Sequence, residues 1–421
     1  MRDAMSFADL GLTEPLLLKL AACQYAEPTP IQQQAIPAIL QGRDVLGLAP
    51  TGSGKTAAYC LPLLQQLSAL PESKVRRLQV LVLVPTRELA IQVDETLGQL
   101  SQGTRLKRVL AYGGVSINPQ MMDLRGGADV VIATPGRLLD LLGQNALSLG
   151  SLSTLVLDEA DRLLDMDFAD ELGRLLALMP TQRQNLFFSA TFPAAVMALA
   201  DRLLRNPVRI VLTTEPANAP AISQRAIQVD DNRRTALLRH LLQQAQWTQV
   251  LVFAASQHAT ERLADKLGRA GIAAAALHGQ LSQGRRGQVL QDFKAGLLQV
   301  LVATDIAARG IDIVQLPVVV NYDLPRSAVD YAHRIGRTGR AGADGLAVSF
   351  ISADTEAHFR LIEKRQGLRV GREVVAGYEP IQQASAVVDV SGNGGIKGKR
   401  KSKKDKLREA AAYATKEKPG A

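Results

Sequence analysis

The sequence predicts an α/β fold: two tandem domains, each a parallel sheet with helices on both faces, and a basic tail. Three observations carry this. Short β-branched runs alternate with helical patterns along nearly the whole chain, the pattern of βαβ units. A segment rich in proline and small residues, Thr213-Thr214-Glu215-Pro216-Ala217-Asn218-Ala219-Pro220, interrupts the alternation midway and is the expected linker. Beyond about Pro380, aromatic and branched residues thin out and a low-complexity basic stretch follows.

The first series of strands is expected at Val45–Leu48, Val80–Val84, Val109–Tyr112, Val130–Ala133, Leu155–Leu157 and Leu186–Phe188. Helical spacing lies between them, as in Arg87–Leu100. The second series is expected at Val250–Ala254, Ala274–Leu277, Val300–Ala303, Val318–Val320 and Ala347–Ile351. The predicted divisions are domain one 1–213, linker 214–222, domain two 223–380 and tail 381–421. With 421 residues and 47% hydrophobic content, two full cores are affordable.

The net charge of +9 is unevenly placed. From Ser391 to Ala421 there are ten Lys/Arg against Asp405, Glu409 and Glu417, so the tail carries +7. The other 390 residues hold 39 bases and 37 acids, so any nucleic-acid site in the body needs placed groups rather than bulk charge. Cys23 and Cys60 have no spaced partners, which excludes a zinc or disulfide framework and points to a reducing compartment. The N-terminus lacks a signal-peptide core, and no apolar run approaches the roughly 20 residues that span a bilayer. The expectation is a cytoplasmic protein with no membrane partner.

Chemistry begins at Ala49-Pro50-Thr51-Gly52-Ser53-Gly54-Lys55-Thr56, which follows a strand and opens a helix. Thr51, Gly52, Ser53 and Gly54 form a phosphate cradle, in which glycines let backbone N–H groups converge on an anion at a helix N-terminus. Lys55 is placed to bridge β- and γ-phosphates and Thr56 to ligate Mg2+. The strict pattern has glycine where this chain has Ala49. Asp158-Glu159-Ala160-Asp161 closes the apolar run Leu155-Val156-Leu157. Asp158, at the strand tip, is the second Mg2+ candidate, and Glu159 is suited to orient and deprotonate water. ATP and Mg2+ are the implied cofactors.

These segments stand among others in a fixed order. Pro28-Thr29-Pro30-Ile31-Gln32, Pro85-Thr86-Arg87-Glu88-Leu89-Ala90, Gly113-Gly114, Thr134-Pro135-Gly136-Arg137 and Ser189-Ala190-Thr191 occupy the first half. Thr304-Asp305 through Arg309-Gly310-Ile311-Asp312, and His333-Arg334-Ile335-Gly336-Arg337-Thr338-Gly339-Arg340, occupy the second. Over about residues 5 to 380 the chain resembles a DEAD-box RNA helicase, a superfamily-2 ATPase with two RecA-like domains. Met5-Ser6-Phe7 and Ala376-Gly377-Tyr378-Glu379-Pro380 resemble bacterial members of the RhlE type.

The resemblance implies roles for individual residues. Gln32, with one donor and one acceptor, suits the adenine edge, with Phe7 as the upstream aromatic and Tyr25 as a stacking ring. Gln24 stands where glycine is usual. Arg337 and Arg340, three apart and expected on one face of a helical turn, match arginine fingers. Asp305 matches a ribose-contacting position, and His333 a histidine that links the motif to the coupling elements. The hydroxyls of Ser189 and Thr191 are expected to bond to Asp161 and report the nucleotide state.

Arg87, Gly114, Thr134, Gly136, Arg137 and Thr304 fit contact with an RNA backbone, and Gln283 and Arg286 lie in a further such stretch. Aromatic content of 4% argues against a base-stacking platform, so recognition is expected to be independent of sequence. The resemblance implies a monomer that separates short RNA duplexes by domain closure, in ribosome assembly or RNA decay, with ribosomal or degradosome-type partners. The tail is expected to act as a non-specific RNA tether. Competing readings are a superfamily-2 DNA helicase and an RNA-annealing scaffold acting through the tail.

Overall fold

A computed structural model describes residues 5–50, 52–71, 75–164, 168–212, 222–308, 316–339 and 345–382. The expected tail beyond Gln382, Arg340, Arg309 to Asp312, and all but the last residue of the expected linker lie outside these, as does Thr51. The chain divides into two compact units, one around each of two sheets.

The first sheet comprises β1 (Val45–Leu48), β2 (Val80–Leu83), β3 (Arg108–Ala111), β4 (Val130–Ala133), β5 (Thr154–Asp158), β6 (Gln184–Ser189) and β7 (Val208–Val211). Every pairing is parallel, and the spatial order is β3-β4-β2-β5-β6-β1-β7. Side chains alternate between the faces. Val80, Val82, Val130, Ile132, Val156 and Phe188 join one core with the helices Pro30–Leu40, Lys55–Ser68 and Arg87–Leu100. Leu81, Leu83, Val131, Leu155, Leu157 and Phe187 join the other with Pro135–Gly143, Ala169–Ala177 and Ala194–Leu203. Burial on both faces explains why these strands read as continuous apolar runs.

The second sheet comprises β8 (Ile222–Gln228), β9 (Val250–Phe253), β10 (Ala274–Leu277), β11 (Val300–Ala303), β12 (Val318–Asn321), β13 (Gly345–Ile351) and β14 (Arg372–Glu373). It too is wholly parallel, in the order β10-β11-β9-β12-β13-β8-β14. Renumbered from its own first strand, that order is identical to the order of the first sheet.

The strands expected from sequence are all present, with ends displaced by one or two residues. The sequence reading missed β7, β8 and β14. Strand β8 begins at Ile222, the residue assigned to the end of the linker, and its ISQRAIQ sequence is too polar to signal a buried strand. Ordered chain also continues past Pro380, because Asp230 accepts from the backbone N–H of Ile381 at 3.0 Å and of Gln382 at 3.1 Å. Among the described residues, no helix is long and apolar enough to cross a membrane.

Candidate nucleotide and RNA sites

In an all-parallel sheet every strand delivers its following loop to the same edge, and ligands bind there. Along that edge of the first sheet the order is Gly113-Gly114 after β3, Thr134 to Arg137 after β4, and Thr86-Arg87 after β2. Next come Asp158 to Asp161 at the end of β5, Ser189 to Thr191 at β6, and the glycine loop after β1. The backbone-binding candidates thus occupy one half and the nucleotide candidates the other, over about 24 Å at roughly 4.8 Å per strand.

The glycine loop is tightly built. Gly54 has φ +89°, and a Cβ there would come within 2.5 Å of Gln32 Nε2, so only glycine fits. Lys55 is nine-tenths buried, and its ammonium donates to the carbonyls of Ala49 at 2.6 Å and Pro50 at 3.0 Å. Ser53 Oγ is buried with no hydrogen-bond partner, a polar atom suited to an anion in the cradle. Gln32 is buried; its Oε1 accepts from Thr29 N at 2.9 Å and its Nε2 donates to the Gly54 carbonyl at 3.2 Å. The amide that was expected to meet a base therefore also braces the phosphate loop, leaving one N–H and one lone pair. Phe7 sits in the core and meets the half-buried Tyr25 edge-on, with centroids 6.4 Å apart. Gln24 adopts φ 62°, the left-handed geometry for which glycine is the usual choice.

At the tip of β5, Asp158 is buried, and burial raises its carboxyl pKa to about 6 despite the nearby Lys55 ammonium. Its Oδ1 accepts from the Glu159 N–H at 2.9 Å and its Oδ2 from the Tyr59 hydroxyl at 2.9 Å. Glu159 turns the chain with φ 50° and ψ 50°, strain of a kind that concentrates at functional sites. Its carboxylate lies 3.3 Å from Arg162 Nε. Thr191 Oγ1 donates to Asp161 Oδ2 at 2.5 Å, and Ser189 Oγ accepts from Asp161 N at 3.3 Å. Two adjacent strand ends are thereby fastened together. Tyr59 escaped the sequence reading; its position four residues after Lys55 on one helix was the available signal. The donors present, the Thr56 hydroxyl and the Asp158 carboxylate, are hard oxygens that suit a Mg2+ keeping most of its water.

On the other half of the edge, Arg87 lies beside Gly114, whose added Cβ would stand 3.3 Å from Arg87 Nη1. Gly113 and Gly114 are exposed, and Thr134 is half-buried with its hydroxyl unused as a helix cap. Gly136 faces the Glu171 carboxylate, 3.2 Å from where a Cβ would sit. Arg137 departs from expectation. It is buried, with Nη1 donating to Gln120 at 2.9 Å and Nη2 to the Val115 carbonyl at 2.7 Å. Through these bonds it holds the turn after Gly114.

In the second unit, Thr304 and Asp305 follow β11. Both Asp305 oxygens are gripped by Arg334, at 2.6 and 2.7 Å, which assigns Asp305 a bracing task besides the expected ribose contact. Arg286, which with Gln283 and Ala307 groups with the first unit, is buried and donates to the Ala307 carbonyl at 2.8 Å, while Gln283 opens its helix. His333 lies in the last turn of the helix Ala328–Ile335. That helix ends at Ile335, so Arg337 lies beyond it, and the spacing inferred for Arg340 lies outside the described residues. Arg337 occupies a buried turn whose carbonyl accepts from Leu316 N at 3.1 Å.

Residues 29–199 match the DEAD/DEAH box helicase family, and residues 233–342 match the helicase conserved C-terminal domain. The DEAD-box ATP-dependent RNA helicase CshA of Bacillus subtilis is 38% identical over 368 residues, covering 87% of this chain and 74% of the relative. The DEAD-box ATP-dependent RNA helicase 28 of Oryza sativa subsp. japonica is 40% identical over 392 residues, 92% of this chain. The chain spans 48% of that longer relative. A solved structure of S. cerevisiae Dbp5 bound to RNA and ADP BeF3 superposes with a TM-score of 0.78 at 31% identity. It covers 88% of this chain and 95% of the Dbp5 chain.

Proposed function

The chain belongs to the DEAD-box ATP-dependent RNA helicases, and on that footing we propose that it couples ATP hydrolysis to local separation of short RNA duplexes. The observation that carries this reading is the divided edge of the first sheet. Nucleotide residues and backbone-binding residues share one line of strand ends, and the Thr191–Asp161 hydrogen bond ties the two central ends together.

The roles follow from placement. Lys55 exchanges the carbonyls of Ala49 and Pro50 for phosphate oxygens, and Gly52 to Gly54 present backbone N–H groups. Thr56 and Asp158 hold the Mg2+, which when bound screens the phosphate charge. Glu159 orients the attacking water and takes its proton. Arg337, with Arg340, stabilises charge on the transferred phosphoryl group once the two units close. Asp161, Ser189 and Thr191 pass the nucleotide state along the strand ends to Thr134 and Arg87, which contact phosphate and sugar without reading bases. Thr304 supplies the matching contact in the second unit. The basic tail raises local RNA concentration, and cytoplasmic RNA remodelling of the RhlE kind is the setting that Met5 to Phe7 and Ala376 to Pro380 favour.

The test is strand separation of a short RNA duplex. Wild-type protein separates it with ATP, and Glu159→Gln binds ATP and RNA but loses separation and turnover by roughly 100-fold or more. Near-normal turnover in that variant defeats the assignment. Strand annealing that persists in Lys55→Ala marks a separate activity of the tail.

A further inference from the structure

Tyr59 is fully buried on the helix that carries Lys55 and Thr56, yet it has a polar task. Its hydroxyl reaches across to β5 and donates to Asp158 Oδ2 at 2.9 Å. Thr56 lies one turn earlier on the same helix. The ring packs on Phe188 of β6 with centroids 5.4 Å apart, which fixes the direction of the hydroxyl. The phenol thus bonds to one residue assigned to the metal and sits one helical turn from the other.

We propose that Tyr59 is a positioning residue of the Mg2+ site, setting the orientation of the Asp158 carboxylate through its hydroxyl. The inference rests on the nucleotide site assigned above. Asp158 is held by two donors, the phenol on Oδ2 and the Glu159 N–H on Oδ1. A carboxylate offers about four lone-pair sites, so two remain for metal-bound water, aimed by the two already occupied. Phenylalanine at this position keeps the packing on Phe188 but leaves Oδ2 without its donor and the carboxylate free to rotate. Groups that hydrogen-bond to a metal's ligands and orient them typically carry 10–100-fold in metal affinity or activity.

The test measures binding of a fluorescent ADP analogue to full-length protein across a Mg2+ titration. In Tyr59→Phe the half-saturating Mg2+ concentration rises roughly tenfold, while affinity for the analogue without Mg2+ is unchanged. In an Asp158→Asn background the same substitution has no further effect, because its route to the metal is already cut. An unchanged Mg2+ titration in Tyr59→Phe overturns the proposal, as does an equal shift in both backgrounds. If wild-type binding of the analogue shows no Mg2+ dependence at all, the metal assignment of Thr56 and Asp158 itself fails.

Discussion

The two sheets share one strand order, yet their edges have been put to different uses, and aligning them by register shows where. Leu83 and Phe253 end equivalent strands, so Thr86 corresponds to Ser256, and each accepts from a backbone N–H as the N-cap of the next helix. Thr134 corresponds to Thr304, and Gly113 to Gly279. The half of the edge proposed to face RNA is thus repeated. The nucleotide half is not. Where the first unit has Pro50-Thr51-Gly52-Ser53-Gly54, the second has Asp230-Asp231-Asn232-Arg233-Arg234, with no glycine to let backbone N–H groups converge on a phosphate. Where Asp158 stands, the second unit has Tyr322, whose hydroxyl lies 2.9 Å from Thr235 Oγ1, and Arg234 fills the space with bonds to the Tyr322 carbonyl and Asp323. One strand order thus occurs with a glycine phosphate loop in the first unit and without one in the second.

The sharpest break of that comparison is Arg337→Ala. If the second unit completes the first unit's centre, RNA-stimulated ATP turnover falls about 1,000-fold while ATP binding persists. Single-turnover kinetics with bound RNA check it.

The buried acid of the first unit has no charged counterpart at Tyr322, and this difference is visible in stability. Folded Asp158 titrates near pH 6 because of burial, against 3.8 ordinarily, so the folded state holds the extra proton between those values. Stability of the nucleotide-free protein therefore falls as pH rises through that window, by roughly 3 kcal/mol in total. Asp158→Asn removes the loss: the first unit unfolds at higher temperature than wild type at pH 7.5, and the two converge near pH 4. Parallel profiles at all pH values, followed by calorimetry, contradict the account.

The smallest effect tests the repeated edge. Thr134→Val and Thr304→Val each delete one hydroxyl at equivalent positions, and each weakens single-stranded RNA affinity about fivefold, near 1 kcal/mol. ADP affinity is unaffected in both. Fluorescence anisotropy showing an effect in one unit alone breaks the equivalence.

Much of this was legible in the sequence, because fully buried parallel strands are continuous apolar runs and phosphate loops need glycine in fixed places. The strand cores from Val45 to Ile351 were found for that reason. Strand β8 was missed because its exposed alternation is polar, and β14 because two residues carry no period. Residue types were easier to read than directions. Arg137 looks like a phosphate ligand on chemistry alone, but only packing reveals that Gln120 and Val115 claim its guanidinium. Arg337 was placed on a helix by spacing, and the helix ends at Ile335. Tyr59 was given no role from the sequence, and its hydroxyl bond across 99 residues is a tertiary fact.

The central claim, one ATP centre answering to a backbone-binding edge that two units share, is tested most directly by steady-state ATP turnover with single-stranded RNA, single-stranded DNA and no nucleic acid. The account predicts strong stimulation by RNA of unrelated sequences, little by DNA, and none in Glu159→Gln. Turnover indifferent to RNA, or equally raised by DNA, would contradict it.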